Sequence, residues 1–137
     1  MAYSKFKVEV LTPEGEVFND EVEMVSTRTS LGMIGVLANH EPLLATLEPT
    51  ELRLHLSDTE VVRYAQAEGY LQVGGNRAML LVQEAHKPDA LDASVLRERL
   101  SEAEQSLEQA GEDTEKRRLA LRDKVRWEAF LKIAEGA

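Results

Sequence analysis

The 137-residue sequence contains no cysteine. It therefore has no disulfide framework, no thiolate metal site and no cysteine nucleophile, and this fits a reducing compartment. Basic residues are also few, because 16 Lys and Arg stand against 25 Asp and Glu, which gives a formal net charge of −9. A nucleic-acid partner requires clustered basic surface, so this balance argues against nucleic acid as a partner.

Long apolar runs are absent as well. No stretch approaches the roughly 20 residues that a membrane-spanning helix needs, and residues 1–8 hold no apolar segment of a signal peptide. We therefore expect no direct membrane insertion, and membrane association only through another protein. With 43% apolar and 30% charged residues, the chain has the composition of a folded domain, alone or with a small appendage.

The first part of the chain has the alternation of half-buried β-strands. Apolar and charged residues alternate in FKVEV at 6–10, and apolar and basic residues alternate in LRLHL at 52–56. Turn residues at 57–59 and 74–76 separate strands that pair as hairpins. Many short strands with turns between them predict an antiparallel β-sandwich over residues 1–87.

The composition changes at Pro88, which is the last proline. Helix formers dominate beyond it, and apolar residues recur at helical spacing with glutamates on the other side. Asp92 or Ser94 can cap the first helix, and Gly111 interrupts the pattern before a second helix begins. Two helices joined by so short a turn must be antiparallel, so we predict a two-helix hairpin over residues 88–137.

Charge is unevenly distributed within the predicted hairpin. The net charge is −6 over residues 92–115 and +5 over residues 116–126. Arg118, Arg122 and Arg126 lie four residues apart and therefore form a row along one side of the second helix. Two interpretations stay open: the opposite charges pair within the hairpin, or the basic helix leaves it to meet an acidic partner.

Trp127 and Phe130 are the large apolar residues of the second helix. They either anchor a helix that can detach or form a permanent part of the hairpin core. If they anchor it, Trp127→Ala favours an extended hairpin, which protease sensitivity would detect. Unchanged sensitivity would contradict this hypothesis.

Candidate catalytic groups are sparse. His40 lies in a predicted turn, His55 in the outward phase of a strand and His86 in the linker before the helices. None has a second histidine or acid at metal-ligand spacing, and neither a nucleophile elbow nor a phosphate-binding loop is present. We predict no metal site and no enzymatic activity.

One glycine-spaced segment is specific enough to suggest a family. The sequence GMIGVLANHEPLL at 32–44 resembles the signature of the epsilon subunit of F-type ATP synthases. The resemblance extends to VEVLTPEG at 8–15, GYLQV at 69–73 and LLV at 80–82, and so covers most of the N-terminal part. The helical part resembles that family in layout and charge more than in individual residues.

The resemblance implies a non-catalytic subunit of the central stalk, peripheral to the cytoplasmic face of the bacterial plasma membrane. Its sandwich (1–87) would bind the gamma subunit and the c-subunit ring and couple rotation to the catalytic head. Its helical hairpin (88–137) would inhibit ATP hydrolysis by meeting the alpha and beta subunits. The candidate partner-binding residues are Thr29, Ser30, Leu31 and His40 toward the ring, and Arg118, Arg122 and Arg126 toward acidic segments of the beta subunits.

Some members of the family bind ATP through an Ile/Leu-Asp-x-x-Arg-Ala motif at the start of the first helix. Leu91 and Asp92 match this motif, but Val95 stands at the arginine position and the nearest arginine is Arg97. Moving an arginine from i+3 to i+5 rotates it away from the face of the aspartate. No cofactor is required, and the residues available to a regulatory ATP are Asp92, Arg97, Arg122 and Arg126.

Two other classes of function remain open at this point. A β-sandwich with a helical hairpin can be an adaptor or chaperone unrelated to rotary motors, which leaves the 32–44 segment unexplained. A small-molecule enzyme would need convergent ionisable side chains, which the sequence does not supply.

Overall fold

The computed structural model of the protein describes residues 3–136, which form ten strands and two α-helices. The strands are β1 (Phe6–Thr12), β2 (Gly15–Val22), β3 (Met24–Thr29), β4 (Gly32–Leu37), β5 (Leu43–Leu47), β6 (Thr50–His55), β7 (Val61–Gln66), β8 (Gly69–Gly74), β9 (Arg77–Val82) and β10 (Ala85–His86). A 3₁₀ turn (Pro88–Ala90) precedes α1 (Ala93–Gln109) and α2 (Thr114–Ala134). The chain divides into two compact units, Met1–Lys87 with the strands and Pro88–Ala137 with the helices.

The strands form one continuous ladder in the order β10-β7-β6-β3-β5-β8-β9-β1-β2, and β4 pairs with β3. The tight turn between β8 and β9 has both Gly75 and Asn76 at positive φ, which is the requirement of a two-residue hairpin turn. β3 connects the two halves of the ladder, because it pairs with β6 through residues 24–26 and with β5 at Thr29. The predicted β-sandwich followed by two helices is therefore confirmed.

One strand pair departs from the predicted antiparallel pattern. β1 runs parallel to β9, with Val8 beside Ala78 and Val10 beside Leu80. Alternation of apolar residues predicts which side chains of β1 face inward, and Val8 and Val10 are indeed fully buried. Alternation carries no information about which strand lies alongside, so the sequence could not predict this pairing.

The core of the first unit consists of inward-facing apolar side chains from both halves of the ladder. Its largest fully buried members are Phe6, Leu47, Leu52, Leu54, Leu71 and Leu80. One polar pair lies within it: the hydroxyl of Thr27 donates to Oε1 of Gln66 at 2.6 Å, and Nε2 of Gln66 donates to the carbonyl of Glu48 at 2.9 Å. These bonds satisfy a buried amide that would otherwise destabilise the fold.

The second unit is the antiparallel helical hairpin. Asp92 caps α1 and accepts hydrogen bonds from the backbone N–H groups of Ser94 and Val95. Asp113 caps α2, and Gly111 at positive φ reverses the chain between the helices. Within residues 3–136, neither helix combines the length and the apolarity that crossing a bilayer takes.

Candidate functional site

The outer surface of β5, β8, β9 and β1 carries apolar side chains where a solvated strand would carry polar ones. Two cross-strand rows define this surface, which we call the apolar face. The rows are Thr46, Tyr70, Leu81 and Leu11, and Leu44, Gln72, Met79 and Glu9. Leu44, Tyr70 and Leu81 are exposed by 74%, 59% and 45%. A contiguous apolar patch of this kind on a folded unit marks a site that a partner covers.

Polar groups border the apolar face. The guanidinium of Arg77 lies 3.5 Å from the carboxylate of Glu9, at the end of the second row. A hollow of about 280 Å³ opens beside this pair, lined by Glu9, Gln72, Gly74, Arg77, Ala78 and Met79. An apolar centre with a charged border has the layout of a protein–protein interface.

The turn predicted to face the ring, residues 29–31, projects from the end of the sandwich. The backbone N–H of Leu31 donates to the hydroxyl of Thr29, and that hydroxyl donates to the carbonyl of Gly32, both at 3.1 Å. These bonds fix the turn and leave the Leu31 side chain 98% exposed. Ser30 and Leu31 are therefore exposed at the tip of the turn, whereas Thr29 is buried and holds the turn in place.

His40 does not join that projection. It follows β4, whereas Leu31 precedes it, so the two lie at opposite ends of a six-residue strand, about 20 Å apart. The loop of His40 is tied to the β8–β9 turn, because the N–H of Asn39 donates to Oδ1 of Asn76 at 2.8 Å. Nδ1 of His40 donates to the carbonyl of Glu41 at 2.7 Å. That the 29–31 turn and His40 bind a partner stays a prediction.

The predicted arginine row on α2 is engaged within the hairpin. Arg118 forms two hydrogen bonds with Glu115, at 2.6 and 3.1 Å, which lower the pKa of Glu115 and raise the pKa of Arg118. Arg122 contacts the carboxylate of Asp123 at 3.1 Å. Arg126 is buried, and its guanidinium lies 5.4 Å from the centre of the Trp127 ring. The row thus consists of two exposed ion pairs and one buried cation.

The residues predicted to hold ATP are likewise engaged elsewhere. The carboxylate of Asp92 caps α1, and hydrogen bonds from the N–H of Val95 and from the hydroxyl and N–H of Ser94 lower its pKa. Arg97 contacts Glu135 at 2.9 Å. Because Arg99 lies over Trp127 across the hairpin, Asp92 lies roughly 18 Å along the helix axis from the position that faces Arg122. The hairpin does not bring Asp92 and Arg122 together, and ATP binding stays a prediction.

Among residues 3–136, no three His, Asp or Glu side chains gather where they could hold a metal ion. His86, predicted in a linker, instead belongs to β10, where it pairs with Ala65 of β7. Its Nε2 lies 2.8 Å from Oε1 of Glu84.

Sequence reasoning missed the apolar face, although a signal for it existed. Leu44, Tyr70 and Leu81 fall in the outward phase of their strands, where alternation would place polar side chains. A strand with apolar residues facing both inward and outward is easily mistaken for a strand that is buried on both faces. Exposure in the folded unit was needed to recognise them as one surface.

A β-sandwich whose outer surface carries exposed apolar side chains with a charged border has the layout of a protein that binds another protein. Comparison with known sequences is more specific. The profile of the family described as "ATP synthase, Delta/Epsilon chain, beta-sandwich domain" matches residues 5–88. The chain belongs to this family.

Similar curated proteins carry the name ATP synthase epsilon chain. The one from Sulfurihydrogenibium sp. is 32% identical over 96% of this chain and 98% of its own length. The one from Persephonella marina is 35% identical over 95% of this chain and 91% of its own. A chain in a cryo-EM structure of the Euglena gracilis mitochondrial ATP synthase shares the fold, with a TM-score of 0.76 and 20% identity over 99% of this chain and 83% of that one.

Proposed function

We propose that the chain is the epsilon subunit in the central stalk of an F-type ATP synthase, where it couples rotation of the c-subunit ring to the catalytic head. Relatives named ATP synthase epsilon chain support the subunit assignment. A chain from a Tetrahymena thermophila structure titled central stalk and c-ring, with a TM-score of 0.63, supports the fold. The observation that carries the proposal is the apolar face, because a soluble unit with this surface requires a partner.

The gamma subunit is the partner that we assign to the apolar face. An interface centred on Leu44, Tyr70 and Leu81 would bury aliphatic and aromatic area, which dominates the affinity of stable complexes. The turn at 29–31 is then available to the c ring, and Leu31 supplies the exposed apolar contact. Through these contacts the chain would lie peripherally on the cytoplasmic face of the bacterial plasma membrane.

The hairpin is the element that we assign to inhibition of ATP hydrolysis. Its Arg118–Glu115 and Arg122–Asp123 pairs are exposed, and exposed ion pairs contribute little to stability because water and salt screen them. Arg118 and Arg122 can therefore exchange these carboxylates for those of the alpha and beta subunits at little cost in free energy. An extended hairpin would need only a few kcal/mol of compensating contacts.

The first experiment compares ATP hydrolysis by the catalytic head assembled with gamma and either the full chain or a chain ending after Lys87. If the truncated chain assembles and hydrolysis rises, the sandwich couples and the hairpin inhibits. If it assembles and the rate is unchanged, inhibition by the hairpin is excluded. If neither form binds gamma, the proposed function is wrong.

The apolar face has its own test. Leu44→Ser with Leu81→Ser removes two large exposed contacts, and we expect affinity for isolated gamma to fall at least tenfold, consistent with loss of interface anchors. Leu31→Ser is the matched control, since Leu31 is equally apolar but lies in the 29–31 turn. Titration calorimetry measures both. Equal losses in the two variants would contradict a gamma site on this face.

A regulatory ATP is the second part of the proposal. Its phosphates would be held by Arg122 and Arg126, so Arg122 would exchange the carboxylate of Asp123 for phosphate oxygens. Equilibrium dialysis with ATP should show saturable binding that Arg122→Gln abolishes. Absence of saturable binding at millimolar ATP would contradict this part alone.

A further inference from the structure

A second face of the sandwich carries an unusual set of cations. Arg28 on β3, Arg53 on β6 and Arg63 on β7 all project outward and are exposed. Arg53 lies directly opposite Arg63, and Ser26 lies opposite Arg53 on the other side. Arg28 is two residues beyond Ser26 in the same phase of β3. We call this surface the arginine face.

The arginines of the arginine face have few carboxylate partners within the chain. Like charges directly opposite each other on neighbouring strands are destabilising. Arg53 is held by Glu51, whose Oε1 lies 2.7 Å from its Nε. Within residues 3–136, Arg28 and Arg63 are the arginines whose side chains make no hydrogen bond, ion pair or ring contact. The chain carries 25 acidic residues, so this lack of local compensation is not a shortage of carboxylates.

Apolar side chains border the arginine face. Met33 and Leu37 project outward from β4 and are exposed by 57% and 38%. Met33 lies opposite Arg28 and Leu37 lies opposite Met24. The face thus offers cations at its centre and apolar contacts at its β4 edge, a combination in which Arg and Met are the residues enriched at protein–protein interfaces.

We propose that the arginine face is a docking site for an acidic polypeptide segment of another subunit of the synthase. Carboxylates of that segment would pair with Arg28 and Arg63, and its apolar side chains would cover Met33 and Leu37. The cations span two strand spacings, about 10 Å, and continue into an apolar edge, which suits a peptide segment better than a single small anion. This inference rests on the proposed function, which supplies the assembly.

The arginine face and the apolar face belong to different strands. The arginine face lies on β3, β6 and β7, whereas the apolar face lies on β5, β8, β9 and β1. A partner on one surface therefore leaves the other available. The two surfaces also select by different chemistry, because one attracts carboxylates at long range and the other requires contact.

The test uses the absence of native cysteine, which makes a single introduced thiol unique. Arg63→Cys is labelled with a photoactivatable cross-linker, the variant is assembled into the synthase, and cross-linked peptides are identified by mass spectrometry. We expect a product with an acidic segment of another subunit. Lys5→Cys, an exposed position on the same unit outside the face, is the control and should not give that product.

The outcomes separate this inference from the function on which it rests. Failure of both variants to enter the synthase would overturn the proposed function. Entry without a cross-link from position 63, or with cross-links only to this chain or to segments without carboxylates, would overturn the docking site while the function stands. A cross-link to a second copy of this chain would also overturn it.

A second measurement does not require cross-linking. Arg28→Gln with Arg63→Gln should weaken association of the chain with the rest of the complex about two- to fivefold at low salt. The difference should vanish near 1 M salt, where screening acts over about 3 Å. Lys5→Gln removes the same type of charge elsewhere and should have no such effect. Equal, salt-independent affinities for all forms would contradict the proposal.

Discussion

Gly69 occupies a position on β8 where the neighbouring strand leaves no room for a side chain. A methyl group there would overlap the carbonyl oxygen of Leu81 and would lie 2.8 Å from Cα of Val82. We expect Gly69→Ala to lower the free energy of unfolding by about 1–3 kcal/mol, because the β8–β9 pairing must shift. Urea denaturation of the full chain measures this change.

Gly74 at the other end of β8 is the matched control. A methyl group there meets nothing within 4 Å, and the backbone is not at positive φ. Gly74→Ala should therefore raise the free energy of unfolding slightly, by about 0.4–1 kcal/mol, because it restricts the unfolded chain. Equal effects of the two substitutions would show that close packing does not determine the choice of glycine at position 69.

The cap of α1 should make the stability of the hairpin depend on pH. The hydrogen bonds that Asp92 accepts lower its pKa below the ordinary value of 3.8. The stabilisation that the Asp92 cap contributes is therefore complete at pH values above the ordinary pKa. It is lost as the pH falls through the lower pKa of the folded state. Asp92→Asn still caps the helix but cannot titrate, so it should lack this part of the acid transition.

Circular dichroism of the full chain through an acid titration, with thermal melts at each pH, measures the effect. The wild-type melting temperature should fall more steeply than that of Asp92→Asn at the acid end. Parallel curves for the two proteins would mean that the cap contributes nothing that depends on its charge.

Single residues show where sequence reasoning succeeds and where it stops. Both Asp92 and Ser94 suit the capping position of α1, so the sequence alone leaves two candidates, and the structure selects Asp92. Burial of Arg126 and the bond from Thr27 to Gln66 were not predicted. Local pattern specifies caps and the inward or outward phase of a side chain. It does not specify how deeply Arg126 is buried, nor a bond between Thr27 and Gln66, which lie 39 positions apart.

At the scale of elements, α1 and α2 are joined by a stack around the single tryptophan. The guanidinium groups of Arg99 and Arg126 lie 5.0 and 5.4 Å from the centre of the Trp127 ring, and the Phe130 ring packs against it in a T-shaped arrangement with 5.9 Å between the ring centres. Arg99 belongs to α1 and the other three residues to α2. This contact is therefore part of what keeps the helices together.

We expect Arg99→Gln to destabilise the hairpin by about 0.5–1 kcal/mol, the size of a cation–π contact at a partly exposed site. Because Trp127 is the only tryptophan, its emission should shift to longer wavelength and be quenched more readily by acrylamide. Glu102→Gln changes an exposed charge on the same helix and should leave the emission unchanged. Unaltered emission in Arg99→Gln would show that the stack does not hold the helices together.

Elements were largely predictable where their pattern is local. Alternation located the strands near Phe6 and Leu52, and helical spacing with an interrupting Gly111 located the hairpin. The position of β10 at Ala85–His86 could not be found this way, because a two-residue strand has no period to detect. The arginine face was equally invisible, since it requires knowing that β3, β6 and β7 are neighbours.

At the scale of the molecule, the two compact units are unequal in apolar core. The core cluster, which runs from Phe6 to Val82, lies wholly in the first unit. The helical unit offers fewer buried apolar side chains on helices of 17 and 21 residues. Most of the stability of a helix in a protein comes from packing of its apolar face, so the contacts between α1 and α2 must supply most of theirs.

We therefore expect residues 1–87 to unfold cooperatively as a separate fragment, at a midpoint close to that of the full chain. A fragment of residues 88–137 should be only partly helical and should melt without a sharp transition. Circular dichroism and calorimetry on both fragments measure this. A cooperative transition of the helical fragment, or an unfolded 1–87 fragment, would contradict it.

The parallel pair of β1 and β9 has a consequence for synthesis of the chain. Lys7 lies beside Arg77, so the first strand finds this neighbour only after seventy further residues have been made. A nascent chain growing from its N-terminus must hold β1 beside β2 alone until β9 has emerged from the ribosome. Closing so long a loop slows folding, and the apolar side of β1 stays available to chaperones throughout that interval.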